Sequence, residues 1–204
     1  MLPRLYAIID AGLLSARGIA LIDFASELAE AGVELVQYRD KTGGPQQILA
    51  ALAEIRTVFT GTLILNDRPD LAVLAHADGV HVGQDDLSPA DTRAVVGPSR
   101  IIGVSTHNDE QVRAAQLTPA DYIAIGPVFA TASKLNPDPV IGLEGVSRAR
   151  ALTIKPLVAI GGITRSNVQN VIEAGADSVA VISGFFAEDE PVVKVARDFL
   201  DILR

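Results

Sequence analysis

Two periodicities alternate along the chain. Short runs rich in apolar and β-branched residues occur at 4–9 (RLYAII), 33–38 (VELVQY), 62–65 (TLIL), 79–83 (GVHVG), 100–105 (RIIGVS), 121–126 (DYIAIG), 157–161 (LVAIG) and 178–183 (SVAVIS). Their length and near-continuous apolar character predict buried strands. Between them, apolar positions recur at helical spacing. Leu21, Phe24, Ala25 and Leu28 share one helix face, and Ile48, Leu52, Ile55 and Phe59 share another. Val168, Val171 and Ile172 form a third stripe, and Val192, Ala196, Phe199 and Leu203 a fourth. Pro45, Pro69 and Pro191 stand near predicted helix starts, where a missing N–H costs little. Gly32 and Gly175 follow predicted helices, where a residue of positive φ often ends the last turn.

A repeated strand–helix unit with apolar strands predicts an α/β protein whose parallel sheet is covered by helices. Eight such strands predict a closed (β/α)8 TIM barrel, in a single domain spanning 1–204 with loops shorter than the fold's usual ~250 residues allow. A faint internal echo supports the repeat. EAGVELV (30–36) matches EAGADSV (173–179), and HADGVHV (76–82) matches TPADYIA (118–124). An open doubly wound sheet is the other arrangement of such units. It is disfavoured, because no G-x-G-x-x-G follows the first strand and no Walker-type glycine–lysine loop occurs.

Composition narrows the function. The chain has 204 residues, 49% of them hydrophobic, and a net charge of −8. That supports a sizeable core and argues against a nucleic-acid partner. There is no cysteine, which excludes disulfides, thiolate metal sites and thiol nucleophiles. The start, MLPRLYAIID, reaches an acid after a short apolar run, so no signal peptide is expected. No apolar stretch approaches the ~20 residues that span a bilayer. A cytoplasmic protein acting on small molecules is expected.

In this barrel the active site forms at the C-terminal ends of the strands. Gln37, Arg39 and Lys41 end the second strand, on one face if that strand runs through Lys41. Asn66 and Asp67 end the third strand, Gln84, Asp85 and Asp86 the fourth, and Ser105, Thr106 and His107 the fifth. GPVFATASK (126–134) follows the sixth, Gly161 and Gly162 the seventh, Ser183 and Gly184 the eighth. Asp67 and one of Asp85 or Asp86 could share Mg2+, which takes hard oxygen ligands; the same acids could equally be solvated loop residues or helix caps, as Leu87 and Ser88 begin the next helix. Arg39, Lys41 and Lys134 on that rim suit a diphosphate. AIGGIT lets backbone N–H groups approach a second phosphate, near the Ser183 hydroxyl. His76, at a helix end, and His81, inside the fourth strand, read as structural, whereas His107 could act as acid or base.

QYRDK, LILND, DGVHVGQDDL, IIGVSTH, AIGPVFATASK, AIGGI and SVAVISG, in this order, resemble the thiamine phosphate synthase (thiamine phosphate pyrophosphorylase) family from about Tyr6 to Ser183. The resemblance implies a transferase. It would join 4-amino-2-methyl-5-hydroxymethylpyrimidine diphosphate to 4-methyl-5-hydroxyethylthiazole phosphate and release diphosphate. It implies that Gln37, Arg39, Lys41, Asn66, Ser105 and Lys134 contact the pyrimidine diphosphate, with Arg39, Ser105 and Lys134 as the catalytic set. Asp67 and Asp86 would hold Mg2+, and Thr131, Ala132, Ser133, Gly162, Ile182 and Ser183 the thiazole phosphate. The chain departs from the family pattern where T-x-T-K reads TASK and where LNPDPVIGLEG follows. The loop 130–143 could close over the site. A thiazole tautomerase of the same family would need His107 rather than a diphosphate–metal site, and a non-catalytic phosphate-ligand sensor would bind without turnover.

Overall fold

Side chains alternate across each strand, and this alternation sorts the core into two layers. The computed structural model describes residues 2–131 and 138–204. Its strands are β1 (Leu5–Asp10), β2 (Leu35–Arg39), β3 (Thr62–Asn66), β4 (Gly79–Val82), β5 (Ile101–Thr106), β6 (Tyr122–Ile125), β7 (Leu157–Ile160) and β8 (Ser178–Val181). All neighbours pair in parallel, and β1 pairs with β8 through Leu5↔Val179, Tyr6↔Ala180 and Ala7↔Val181, which closes the barrel. Leu5, Ala7 and Ile9 point outward beneath the helices, with Val36, Leu63, Val80, Ile102, Ile123, Leu157 and Val179 from the other strands. Tyr6, Ile8, Leu35, Ile64, Tyr122, Ala124, Val158 and Ala180 fill the interior as a separate cluster.

The helices are α1 (Ala11–Arg17), α2 (Leu21–Ala31), α3 (Pro45–Arg56), α4 (Pro69–Leu74), α5 (Pro89–Val96), α6 (Asp109–Gln116), α7 (Gly142–Leu152), α8 (Val168–Glu173) and α9 (Val192–Ile202), with a short 3-10 turn at Ser183–Phe185. Phe24, Ala25 and Leu28 of the first stripe are buried, as are Ile48, Leu52 and Ile55 of the second. Phe59 is also buried but lies beyond the end of α3, in the turn before β3. Gly32 ends α2 at φ 90°. The sequence pattern gave no sign of α1, which Asp10 caps by accepting a hydrogen bond from the Leu13 N–H at 2.9 Å. The last helix clasps α2, as Glu27 accepts from the Val193 N–H at 2.8 Å. Among the described residues no helix is long and apolar enough to cross a membrane.

A repeated clamp closes the N-terminal end of the barrel. Asp78, Asp121 and Asp177 each precede an even-numbered strand. Each carboxylate accepts from a backbone N–H of the preceding strand: Leu63 at 2.7 Å, Ile102 at 2.7 Å and Leu157 at 2.8 Å. Each aspartate also donates its own N–H to the carbonyl of that same residue. An arginine from the helix that leads into that preceding strand, Arg56 of α3, Arg93 of α5 or Arg150 of α7, pairs with the carboxylate and donates to nearby carbonyls. Asp177 stands at the same place in its echoed segment as Glu34 does ahead of β2, and Asp78 and Asp121 each follow an alanine directly before their strand.

Candidate active site

The C-terminal ends of the strands surround a cavity of about 500 Å³. Gln37, Arg39, Lys41, Asn66, Asp67, Asp86, Ser105, Thr131, Gly162, Ile182 and Ser183 all line it. Every expected site residue among those described is therefore brought together. Ala132, Ser133 and Lys134 lie outside the described residues, within the stretch 132–137 of the expected lid segment.

The rim over β1–β4 is built from opposed charges. β2 ends at Arg39, two residues short of Lys41. Asp40 leaves the strand direction by accepting from the backbone N–H groups of Thr42 at 2.9 Å and Gly43 at 2.7 Å. Lys41 reaches the cavity all the same and pairs with Asp67. Arg39 pairs with Asp10, its register partner on β1. Asp67 takes a left-handed φ of 60°, which an aspartate tolerates better than most residues, and donates its N–H to the His81 carbonyl at 2.7 Å. Asp86 accepts from the Gly83 N–H at 2.7 Å. Partial burial raises its pKa, and the neighbouring Asp67 carboxylate raises it further.

That crowding bears on the Mg2+ expectation. Burial and the Asp67 carboxylate raise the proton affinity of Asp86, and Lys41 is the cation that opposes the rise. Among the described residues no group of three or more His, Cys, Asp or Glu gathers at one point. A two-carboxylate donor set fits a cation that completes its shell with water and phosphate oxygens, as Mg2+ does. The buried Asn66 Nδ2 has no hydrogen-bond partner among the described residues, and it lines the same cavity. An unsatisfied buried donor is costly, so a ligand oxygen is its natural complement.

The floor of the cavity was not foreseen. Tyr6, Gln37, His81 and Ser105 line it there and are joined by hydrogen bonds through Tyr122, which lies beneath them. The inward parity of Tyr6 on β1 was the available signal. His81, expected to be structural, lines the cavity with both ring nitrogens engaged. Burial lowers its pKa to about 4, so the ring is neutral at physiological pH.

Opposite the charged rim, Gly161 and Gly162 turn the chain at φ 105° and 64°. A Cβ at Gly162 would lie 2.6 Å from the Ala130 carbonyl oxygen and 2.8 Å from the Phe129 Cβ. Close packing of the β6–α7 connection thus already demands glycine here, apart from any phosphate. That connection is pinned at its base: Val128 and Phe129 donate to the carbonyls of Ile160 and Gly161 at 2.9 and 3.0 Å. His107 belongs to the same anchorage. Its Nδ1 donates to the Gly126 carbonyl at 2.7 Å, with Asp138 at 3.5 Å.

The comparisons agree with this geometry. A family model described as thiamine monophosphate synthase matches residues 5–185. A thiamine-phosphate synthase of Koribacter versatilis is 52% identical over 206 aligned positions, covering 99% of this chain and 96% of the relative. One from Xanthobacter autotrophicus is 43% identical, covering 92% and 89%. The solved thiamine phosphate pyrophosphorylase of Pyrococcus furiosus superposes with a TM-score of 0.85 at 30% identity, covering 98% of this chain and 95% of that one. The chain belongs to the thiamine monophosphate synthase family.

Proposed function

We propose that the chain's thiamine phosphate synthase reaction runs in this one cavity, with the pyrimidine diphosphate over β2–β5 and the thiazole phosphate over β7 and β8. The observation that carries the reading is the gathering on one rim of Arg39, Lys41, the crowded Asp67–Asp86 pair and the Asn66 Nδ2, which has no partner among the described residues. Asp67 and Asp86 would hold Mg2+, whose charge, when bound, stabilises the leaving diphosphate. Arg39 and Lys41 turn from their carboxylates to the diphosphate as the C–O bond to the pyrimidinylmethyl carbon breaks. The Asn66 amide donates to a phosphate oxygen, while Gln37 and Ser105 orient the ring. Lys134, carried over from the family motif, adds a third cation. The thiazole nitrogen then attacks the carbon. It has no proton to lose, so the chemistry requires no protein base. Thr131 through Ser133, Gly162, Ile182 and Ser183 hold the thiazole phosphate. The cysteine-free composition suits a cytoplasmic setting.

A diphosphate-release assay tests this. One diphosphate should appear per thiamine phosphate when both substrates are supplied, should cease with chelator and should return with Mg2+. Thiazole isomerisation without diphosphate release would replace the reading with the tautomerase. No observation favours that alternative, since His107 spends its Nδ1 proton on the Gly126 carbonyl.

A further inference from the structure

Across the barrel interior runs an unbroken line of hydrogen bonds contributed by five strands. The Gln37 Nε2 meets the Tyr6 hydroxyl at 2.7 Å, and that hydroxyl meets the Tyr122 hydroxyl at 2.9 Å. The Tyr122 hydroxyl meets the His81 Nδ1 at 2.9 Å, and the His81 Nε2 meets the Ser105 Oγ at 2.8 Å. The three middle residues are almost fully buried: Tyr6 and Tyr122 are 1% exposed and His81 is 8% exposed. Nothing in the reaction as described gives them a task.

With the Gln37 Nε2 turned toward the Tyr6 hydroxyl, the chemistry of the groups sets the direction of this line. An amide nitrogen only donates, so Tyr6 accepts from Gln37. Tyr6 must then give its single proton to Tyr122. Tyr122, having accepted, must give its own proton to Nδ1 of His81. A neutral imidazole that accepts at Nδ1 carries its proton on Nε2 and donates it to Ser105. Two consequences appear at the ends. Gln37 is left with its carbonyl oxygen for a ligand, and Ser105 is left with a hydroxyl proton to give. Reversing Gln37 would set its oxygen against the oxygen of Tyr6, unless every proton in the line moved with it.

We propose that Tyr6, Tyr122 and His81 are positioning residues that lock the donor–acceptor sense of Gln37 and Ser105, and so select a 4-aminopyrimidine over its 4-oxo counterpart. This rests on the reading that the pyrimidine lies over β2–β5. The exocyclic amine donates to the Gln37 oxygen, and a ring nitrogen accepts from Ser105. A 4-oxo group would instead face one carbonyl oxygen with another. Gln37 could not rotate to relieve that contact without reordering the whole line. Sites built around such committed polar groups discriminate strongly, because the wrong ligand leaves them unpaired.

Two measurements test the lock. The chain has three histidines, so their ring nitrogens can be resolved by 15N NMR of the ligand-free protein. His81 should show an unprotonated Nδ1 and a protonated Nε2; a protonated Nδ1 overturns the proposed sense. Separately, Tyr122→Phe removes the central link. The ratio of kcat/KM for the 4-amino over the 4-oxo pyrimidine diphosphate should fall by about tenfold or more, with the KM for thiazole phosphate unchanged. An equal loss for both pyrimidines would mean that the line only supports the fold, and would overturn the proposal. If Tyr122→Phe does not fold, Tyr6→Phe interrupts the same line one residue earlier and is read the same way. Failure of the wild-type protein to turn over the 4-amino substrate would reject the assigned reaction, while the NMR result would still decide the sense of the line.

Discussion

Tyr122 fills the space that a side chain at Gly103 would need. A Cβ at Gly103 would lie 2.0 Å from the Tyr122 Cζ, 2.3 Å from its hydroxyl oxygen and 2.5 Å from the His81 Nδ1. The two residues are register partners on β5 and β6, so neither can move away along the sheet. Small-against-large packing of this kind lets a ring lie across the barrel interior, and it makes one methyl group consequential.

Gly103→Ala should therefore cost about 1–3 kcal/mol by overpacking, measured by urea unfolding. It should also raise the KM for the pyrimidine diphosphate while leaving that for thiazole phosphate nearly unchanged, since the displaced ring lies on the pyrimidine side. Unaltered stability and kinetics would show that the interior repacks freely.

Arg39→Ala should weaken stabilisation of the leaving diphosphate. Loss of a charge-assisted hydrogen bond costs on the order of 1.5–3 kcal/mol, or about tenfold to a hundredfold in rate. His107→Ala should cost less, because its imidazole anchors a loop and takes no part in bond breaking. Robust turnover in Arg39→Ala beside an inactive His107→Ala would reverse these assignments.

Among the acids, Asp67→Ala and Asp86→Ala should each abolish most of the Mg2+-dependent rate, and Asp85→Ala should do far less harm. Titration of Mg2+ against activity in each variant checks this. A larger defect in Asp85→Ala would move the metal site to that neighbour.

Ser183→Ala should raise the KM for thiazole phosphate without a matching change for the pyrimidine substrate. Ser183 is the better probe than Gly162, where a larger side chain would collide with Phe129 and Ala130 whether or not a phosphate binds. Equal effects on both substrates would place the monophosphate elsewhere.

His81 supplies a pH dependence. Its pKa in the fold is about 4, against about 6.5 for an unperturbed imidazole, so between these values the unfolded chain binds the extra proton. The associated stability is complete above pH 6.5 and is lost as pH falls toward 4, by about 3 kcal/mol in all. The ring faces the Tyr122 and Ser105 hydroxyls, and the Asp86 carboxylate is the charged group that opposes the shift. Urea unfolding between pH 7 and 4.5 should show a steeper decline for the wild type than for His81→Gln. Parallel declines would contradict a buried neutral ring.

Much of this was legible in the chain. Apolar runs located all eight strands, because buried parallel strands need apolar side chains on both faces. The end-of-strand rule then gathered Gln37, Asn66, Ser105 and Ser183 correctly around one cavity. What escaped depends on relations between strands. Asp10 carries no signal of its own in the sequence, and only the register of β1 on β2 brings it to Arg39. His81 and Tyr122 read as core residues, since a strand does not announce which polar atoms will meet across the interior. The condition that the second strand run through Lys41 is not met, because the turn at Asp40 is made by its carboxylate, not by a glycine or proline.

The aspartate–arginine clamps lie at the opposite end of the barrel from the cavity, and they recur with every second strand. Thermodynamic independence of the two ends follows. Arg93→Ala should lower stability by about 1–2 kcal/mol through its lost carbonyl and carboxylate hydrogen bonds, yet leave both KM values as they were. Combined with Asp67→Ala, its effect on unfolding free energy should add to within about 0.5 kcal/mol, as for sites that share no partner. One rim of the molecule can then drift in sequence, or be engineered for heat resistance, without retuning the other.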